Sequence, residues 1–180
     1  AKGDLKGLST VLGSQTTMVM NLAKGIDPRP VVADREAKSV SNETTFSRDL
    51  SDLESLETEL EALCLKLSSR LKAKGIAGGT VTLKLKRANH RVITRSRSLP
   101  SRIDKAYQLF DIGRDLLINE VGNNNKFRLL GIGVNDLGEA YDARLFDLDG
   151  GEDNRRNRLE AAVDRLHIKM GSNVLRTGRQ

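Results

Sequence analysis

The sequence predicts an α+β fold in which a four-stranded sheet carries two helices on one face. Patterns typical of strands and helices follow in the order strand, helix, strand, strand, helix, strand. The strongest helical signal is a row of leucines between Leu53 and Leu71, and the clearest β-type alternation runs from Thr80 to Lys86. Packing both helices on the same side of the sheet would bury both apolar stripes and leave the opposite face open to solvent.

The chain before the first strand predicts a helical segment and a linker. Within the first 26 residues, helical spacing is found in two groups separated by a break at Gly13: Leu8, Val11 and Leu12, and then Met18, Val19 and Leu22. Two prolines in three positions then favour extended backbone, which indicates a linker. The predicted organisation is a helical segment at 1–26, a linker at 27–37, a sheet domain at 38–138 and a tail at 139–180.

The sheet domain is predicted to begin with one strand and one long helix. Residues 38–46 are rich in Thr, Val and Phe and lack helix signals, so they predict a strand. Ser51, with Glu54 three residues later, forms the pattern of a capping box and predicts the start of the helix. Gly75 predicts its end.

A hairpin, a second helix and a last strand complete the predicted domain. Residues 80–86 and 91–99 both alternate, and the chain between them is predicted to turn. A last strand is predicted at 127–134. A helix over about residues 103–121 is expected to bury one stripe of side chains, formed by Ala106, Leu109, Phe110, Gly113 and Leu117.

The composition indicates a protein without disulfides or membrane-spanning segments. The chain has a single cysteine, Cys64, and no apolar stretch long enough to cross a bilayer. We therefore expect a cytoplasmic protein with no membrane partner. Thirty Lys and Arg against twenty-four Asp and Glu give a formal net charge of +6, which favours a polyanionic partner.

Positive charge is concentrated in the predicted hairpin, since residues 79–102 contain seven basic residues and no acidic one. Cations spaced along adjacent strands match the phosphate repeat of a nucleic acid. Gly131 and Gly133 are expected to leave the sheet bare enough for a phosphate to approach the main chain. The hairpin lacks aromatic residues, which disfavours base stacking and favours a duplex held by charge and shape. The alternative is a solvated basic face with no partner. The cations expected on the open face are Lys84, Lys86, Arg95 and Arg97.

Five segments in series carry a resemblance to a known family: GIDPRPV, KSVSNETTF, TLKLK, TRSRSL and RLLGIGVNDL. In that order and spacing they resemble the little-finger domain of Y-family translesion DNA polymerases of the DNA polymerase IV type, over about residues 25–138. The resemblance implies a βαββαβ little-finger domain preceded by the end of a thumb domain at residues 1–26.

The resemblance implies that this chain binds double-stranded primer-template DNA by contacting the phosphate backbone of the DNA. In that family nucleotide transfer requires magnesium held by carboxylates of a palm domain. We therefore expect no cofactor in this chain and no polymerase activity from it alone. For Thr94, Ser96 and Ser98 the alternative is that they pack as small residues beneath the helices. The implied DNA contacts are Lys38, Ser39 and Ser41, then Lys84, then Thr94, Arg95, Ser96 and Arg97, and finally Arg128.

The tail resembles a weak version of a bacterial sliding-clamp ligand. Such ligands have Gln, any residue, Ser or Asp, and then Leu and Phe, and the tail matches this pattern only at the final pair. The resemblance implies the sliding clamp as a second partner, and the alternative is an apolar pair that packs onto the domain. Residues 159–166 predict a C-terminal helix. The candidate clamp-binding residues are Asp142, Ala143, Arg144, Leu145 and Phe146.

Two other classes of function stay open. One is a free-standing adaptor whose open face binds protein, and the other is an enzyme of the same topology. The acidic stretch at residues 147–153 lacks the glycine spacing of a calcium loop. His90 and His167 lie far apart with no cysteine partner, so no zinc site is predicted.

Overall fold

The computed structural model describes residues 5–31, 36–122, 125–140 and 152–170, which fall into two compact units, Ala1–Glu36 and Ala37–Gln180. The first unit contains α1 (Leu5–Leu12), a short 3-10 helix (Gly13–Gln15) and α2 (Thr16–Ala23). The buried Thr16 hydroxyl donates to the Gly13 carbonyl at 2.7 Å, which fixes the junction between the 3-10 helix and α2. The four-part division drawn from the sequence stays a prediction.

The second unit is the predicted α+β domain. Its four strands form one antiparallel sheet in the order β1-β4-β2-β3, so β1 and β3 are the edge strands. Two long helices lie on one side, which confirms the predicted fold class. The elements are β1 (Ser39–Leu50), α3 (Leu53–Ala73), β2 (Ile76–Arg87), β3 (Val92–Ile103), α4 (Ala106–Ile118) and β4 (Phe127–Glu139).

The core lies between the helices and one face of the sheet. The leucine row of α3 is buried from Leu56 to Leu71, as the stripe predicted. Every second residue of the central strands meets it, because side chains alternate between the two faces of a strand. The sheet contributes Val40, Val81, Leu83, Leu85, Ile93, Leu130, Ile132 and Val134 to this core.

The ends of the two main helices differ from the sequence prediction. Asp52, not Ser51, is the N-cap of α3, and its carboxylate accepts from the Ser55 amide at 2.7 Å, an interaction that lowers the pKa of Asp52. The predicted capping box is therefore wrong by one residue. Gly75, at φ 63°, ends the helix as predicted. The α4 helix starts later than predicted because β3 continues to Ile103, which is buried in the core.

A fifth helix, α5 (Glu152–Met170), contacts the helical side of the domain through polar side chains. The Glu160 carboxylate accepts from the Ala106 amide at 2.9 Å, at the first residue of α4, and from the Ser68 hydroxyl at 3.2 Å. It also pairs with Lys72. Two residues of the predicted apolar stripe lie outside the contact, since Leu159 and Leu166 remain 66% and 40% exposed.

Within the described residues, no helix is both long enough and apolar enough to cross a membrane.

Candidate nucleic-acid interface

No helix in the described part of the second unit covers one face of its sheet, and strand register defines which side chains lie on that face. Lys84 pairs with Thr94 on β3 and with Gly131 on β4, while its neighbours Leu83 and Leu85 point into the core. The same alternation assigns sixteen residues to this surface, called the open face below. They are Ser39, Ser41, Glu43 and Thr45 from β1; Leu129, Gly131, Gly133 and Asn135 from β4; Thr80, Thr82, Lys84 and Lys86 from β2; and Val92, Thr94, Ser96 and Ser98 from β3.

Small hydroxyl side chains dominate the open face. Thr80 and Ser98 hydroxyls lie 3.1 Å apart across β2 and β3, and those of Thr82 and Ser96 lie 3.0 Å apart. The Asn135 amide donates to the Thr82 hydroxyl at 3.0 Å from the other neighbouring strand. These cross-strand bonds hold the hydroxyls close to the sheet. The result is a polar surface made mostly of short side chains, with no aromatic side chain among its sixteen residues.

Two lysines and one glutamate supply the charge of the open face. The Lys84 ammonium lies 2.8 Å from the Glu43 carboxylate, and both side chains are about half exposed. Lys86 forms no ion pair with any of the described residues and lies one step further along β2. The open face therefore has one paired cation and one unpaired cation.

Arg95 and Arg97 lie on the other side of the sheet, so their predicted placement on the open face is wrong. On β3 they have the same orientation as Ile93, which is buried in the core, and they pair in register with Leu83 and Val81. Burying Ile93 against the helices fixes the orientation of the whole strand. Because β3 is an edge strand, the long arginine side chains still reach solvent.

Both arginines are paired with carboxylates near α4. Arg95 lies 2.7 Å from Glu120, whose side chain is only 9% exposed, and Arg97 lies 2.9 Å from Asp115. The hairpin itself contains no acidic residue, but carboxylates from α4 and from the residues just after it pair with the hairpin arginines. Arg95 and Arg97 therefore lie on the opposite side of the sheet from Lys84, and unlike Lys86 they form ion pairs.

The small residues of β3 and β4 also differ from expectation. Thr94, Ser96 and Ser98 belong to the open face, so the alternative that they pack beneath the helices is wrong. The glycines of β4 are flanked closely by β1: a Cβ at Gly133 would lie 2.7 Å from the Ser41 Cβ. They do not leave bare main chain, and their role is to let side chains of the neighbouring strands approach one another.

The remaining predicted DNA contacts fall into two groups. Ser39 and Ser41 are exposed on the open face, and Lys38 is exposed immediately before β1. Arg128 lies where the register of β4 against β2 shifts, and its guanidinium donates to Asp49 at 3.2 Å. The candidate clamp-binding residues 142–146 lie outside the described residues. DNA contact by each of these side chains stays a prediction.

The described part of the chain contains no group of three or more His, Cys, Asp or Glu side chains that could hold a metal ion.

Comparison with known proteins shows which family the domain belongs to. Residues 37–148 match the model described as the impB/mucB/samB family C-terminal domain. The chain is 41% identical over 177 residues to DNA polymerase IV 1 of Mesorhizobium japonicum, which covers 98% of this chain and 40% of that protein. It is 42% identical over 171 residues to DNA polymerase IV of Brucella melitensis, covering 95% and 38%. The chain thus spans about two fifths of the length of these relatives.

A solved structure has the same fold at low identity. The structure titled "Insertion ternary complex of Dbh DNA polymerase" superposes with a TM-score of 0.50 and 12% identity, covering 74% of this chain and 38% of that one. Together with the match over residues 37–148, this likeness confirms the expected little-finger fold. The chain belongs to the impB/mucB/samB family and carries its C-terminal domain, the little-finger domain of a Y-family polymerase of the DNA polymerase IV type.

Proposed function

We propose that this chain is the DNA-holding C-terminal part of an error-prone translesion DNA polymerase, and that its open face lies along the primer-template duplex. One observation carries the proposal: a broad face of hydroxyl groups that bears Lys84 and Lys86 and that no helix of the described part of this domain covers. The relatives named DNA polymerase IV support a duplex as the partner.

The chemistry of the open face suits a phosphate backbone better than bases. Hydroxyl groups donate to phosphate oxygens, and each lysine that neutralises a phosphate releases counterions. The short serine and threonine side chains allow the phosphate backbone of a duplex to approach the sheet closely. The face offers no aromatic ring on which a base could stack, so we expect binding with little dependence on base sequence.

We also propose that nucleotide transfer in the parent polymerase depends on magnesium bound by a palm domain outside these 180 residues. The relatives are long enough to include such a domain, since this chain aligns with about two fifths of their length. The chain alone is expected to extend no primer when magnesium and deoxynucleotides are supplied. Extension by the purified chain would contradict this part of the proposal.

Duplex binding measured over a series of salt concentrations tests the proposal. The chain should bind a short primer-template with an affinity that falls steeply as salt rises. Lys84→Ala combined with Lys86→Ala should weaken binding and lower the salt slope by about one unit per lost phosphate contact. Lys66→Ala with Lys74→Ala is the matched control, because it removes the same charge from exposed positions on or next to α3.

The edge arginines provide a further arm of the same experiment. Arg95→Ala with Arg97→Ala should weaken binding less than the lysine pair does, because both guanidinium groups lie on the helical side and pair with carboxylates. A larger effect from the arginine pair would mean that the duplex crosses the β3 edge, which would contradict the open-face arrangement. Salt-insensitive capture of a protein, with no duplex binding, would favour the adaptor.

We propose the bacterial sliding clamp as a second partner, bound through residues 142–146. The support is the Leu-Phe pair that ends this segment, which follows β4 in the sequence. Leu145→Ala with Phe146→Ala should abolish pull-down by a sliding clamp while leaving duplex binding intact. The control is Leu159→Ala with Leu166→Ala, which removes an exposed apolar pair from α5. Retained pull-down by the first variant would place the clamp contact elsewhere.

A further inference from the structure

We propose that Glu43 competes with DNA phosphate for Lys84 and thereby sets how tightly the open face holds a duplex. The inference rests on the proposed function, since it concerns the regulation of the same surface. It assigns a role to a carboxylate that lies in the middle of an otherwise neutral or basic face.

Strand register brings the two charged groups together across a glycine. Glu43 on β1 pairs with Gly131 on β4, and Gly131 pairs in turn with Lys84 on β2. The outer strands of this trio are about 10 Å apart, so the two side chains must lean over the middle strand to meet. A glycine there leaves room for them, since a Cβ at position 131 would lie only 2.9 Å from the Glu43 Cβ.

The ion pair is accessible and easily exchanged. The Lys84 and Glu43 side chains are 43% and 50% exposed, and their charged atoms lie 2.8 Å apart. Exposed pairs of this kind contribute little to stability, because water and salt screen them. A phosphate oxygen can therefore replace the carboxylate at Lys84 without disrupting the fold.

Glu43 opposes binding in two ways. In the free protein it pairs with Lys84, so a phosphate must displace it, and the freed carboxylate then takes up a cation that offsets the cations released from the DNA. In the complex the displaced carboxylate faces the phosphate backbone and repels it. Both effects lower the affinity and make the salt dependence shallower than the number of cations would indicate.

Similar pairing occurs around the domain. All three predicted DNA-contacting arginines have carboxylate partners, so each must exchange a carboxylate before it can bind a phosphate. Lys86 provides the contrast, because it has no ion pair with any described residue. The paired arginines are Arg95, Arg97 and Arg128, with Glu120, Asp115 and Asp49 as their respective partners.

Glu43→Gln in the 180-residue chain tests the inference. The amide keeps the size of the side chain and removes its charge. Binding to a short primer-template, followed by fluorescence anisotropy at several KCl concentrations, should be about threefold tighter or more, with a salt slope steeper by about one unit. Glu54→Gln is the matched control, because it removes the same charge from an exposed position at the start of α3.

A second background shows whether Glu43 acts through Lys84. In a Lys84→Ala chain, Glu43→Gln should tighten binding clearly less than it does in the wild-type chain. Equal tightening in both backgrounds, or tightening by the Glu54→Gln control that matches it, would overturn the inference. Unchanged affinity of Glu43→Gln, in a wild-type chain that binds duplex with a salt slope, would overturn it while leaving the proposed function intact. Absence of salt-dependent duplex binding by the wild-type chain would overturn both.

Discussion

The two faces of the sheet are made from the same strands but have opposite chemistry. Along β2, Val81, Leu83 and Leu85 enter the core, while Thr82 and Lys84 between them lie on the open face. Burial of one set fixes the position of the other, because neighbouring side chains of a strand point in opposite directions. Residues that pack and residues proposed to bind DNA can therefore be separated by a single position.

The two faces are less distinct at the β3 edge of the sheet. On β3 the positions facing the helices begin with the buried Ile93 but continue with Arg95 and Arg97. These arginines occupy the packing side of the strand, yet they reach solvent and pair with carboxylates instead of entering the core. A cation on β3 and a cation on β2 thus have different surroundings, although both belong to the same hairpin.

The largest expected effect is a difference in stability between a mutation on the core face and a mutation on the open face. Leu83→Ala should lower the free energy of unfolding by about 2–5 kcal/mol, because it removes a fully buried side chain and leaves a cavity. Thr82→Ala, one residue away on the open face, should cost about 1 kcal/mol or less. Urea unfolding followed by circular dichroism measures both. Equal losses would mean that the open face also packs against something in the folded chain.

A second prediction concerns polar contacts on the helical side. Glu160→Ala should destabilise the docking of α5 by about 1–3 kcal/mol, because it removes the acceptor for the Ala106 amide and the Ser68 hydroxyl and the partner of Lys72. Amide hydrogen exchange of residues 152–170 should become faster. Leu159→Ala, at an exposed position of the same helix, is the control and should leave the exchange rates unchanged. Unchanged exchange in Glu160→Ala would show that these contacts do not hold α5.

The smallest expected effect lies at the β3 edge. Arg97→Ala should change the free energy of unfolding by about 1 kcal/mol or less, because its pair with Asp115 is exposed to solvent. The double-mutant cycle with Asp115→Asn isolates the coupling between the two side chains. A coupling well above that range would make this arginine a structural residue that cannot exchange its carboxylate for a phosphate.

Periodicity was sufficient to predict the fold because α3, α4 and β2 each have one clear apolar stripe. The leucine row of α3 and the alternation of β2 identify both sides of the core, and the order of elements then leaves one economical arrangement. Exact ends were harder, since the start of α3 depends on whether Ser51 or Asp52 accepts the Ser55 amide. Spacing alone does not distinguish two adjacent capping residues.

The site was predicted less completely because its charges are set by contacts distant in sequence. The orientation of Arg95 and Arg97 depends on which of the adjacent apolar residues Val92 and Ile93 faces the core, and the structure buries Ile93 while Val92 stays 50% exposed. No local pattern indicated that Glu120 and Asp115 would pair with these arginines, or that Glu43 would reach Lys84 across Gly131. Such pairs follow from strand order and helix placement.

Duplex DNA is proposed to contact the open face and not the helical side. Methyl NMR of the threonines during titration with a short primer-template tests this proposal directly, because threonine methyl groups sample both sides. Thr80, Thr82 and Thr94 lie on the open face, and the exposed Thr58 on α3 is the internal reference. We expect shifts of the three open-face methyl signals at low salt, reversed by added KCl, with the Thr58 signal unmoved. Shifts confined to Thr58, or open-face signals that stay constant while DNA binds, would contradict the account.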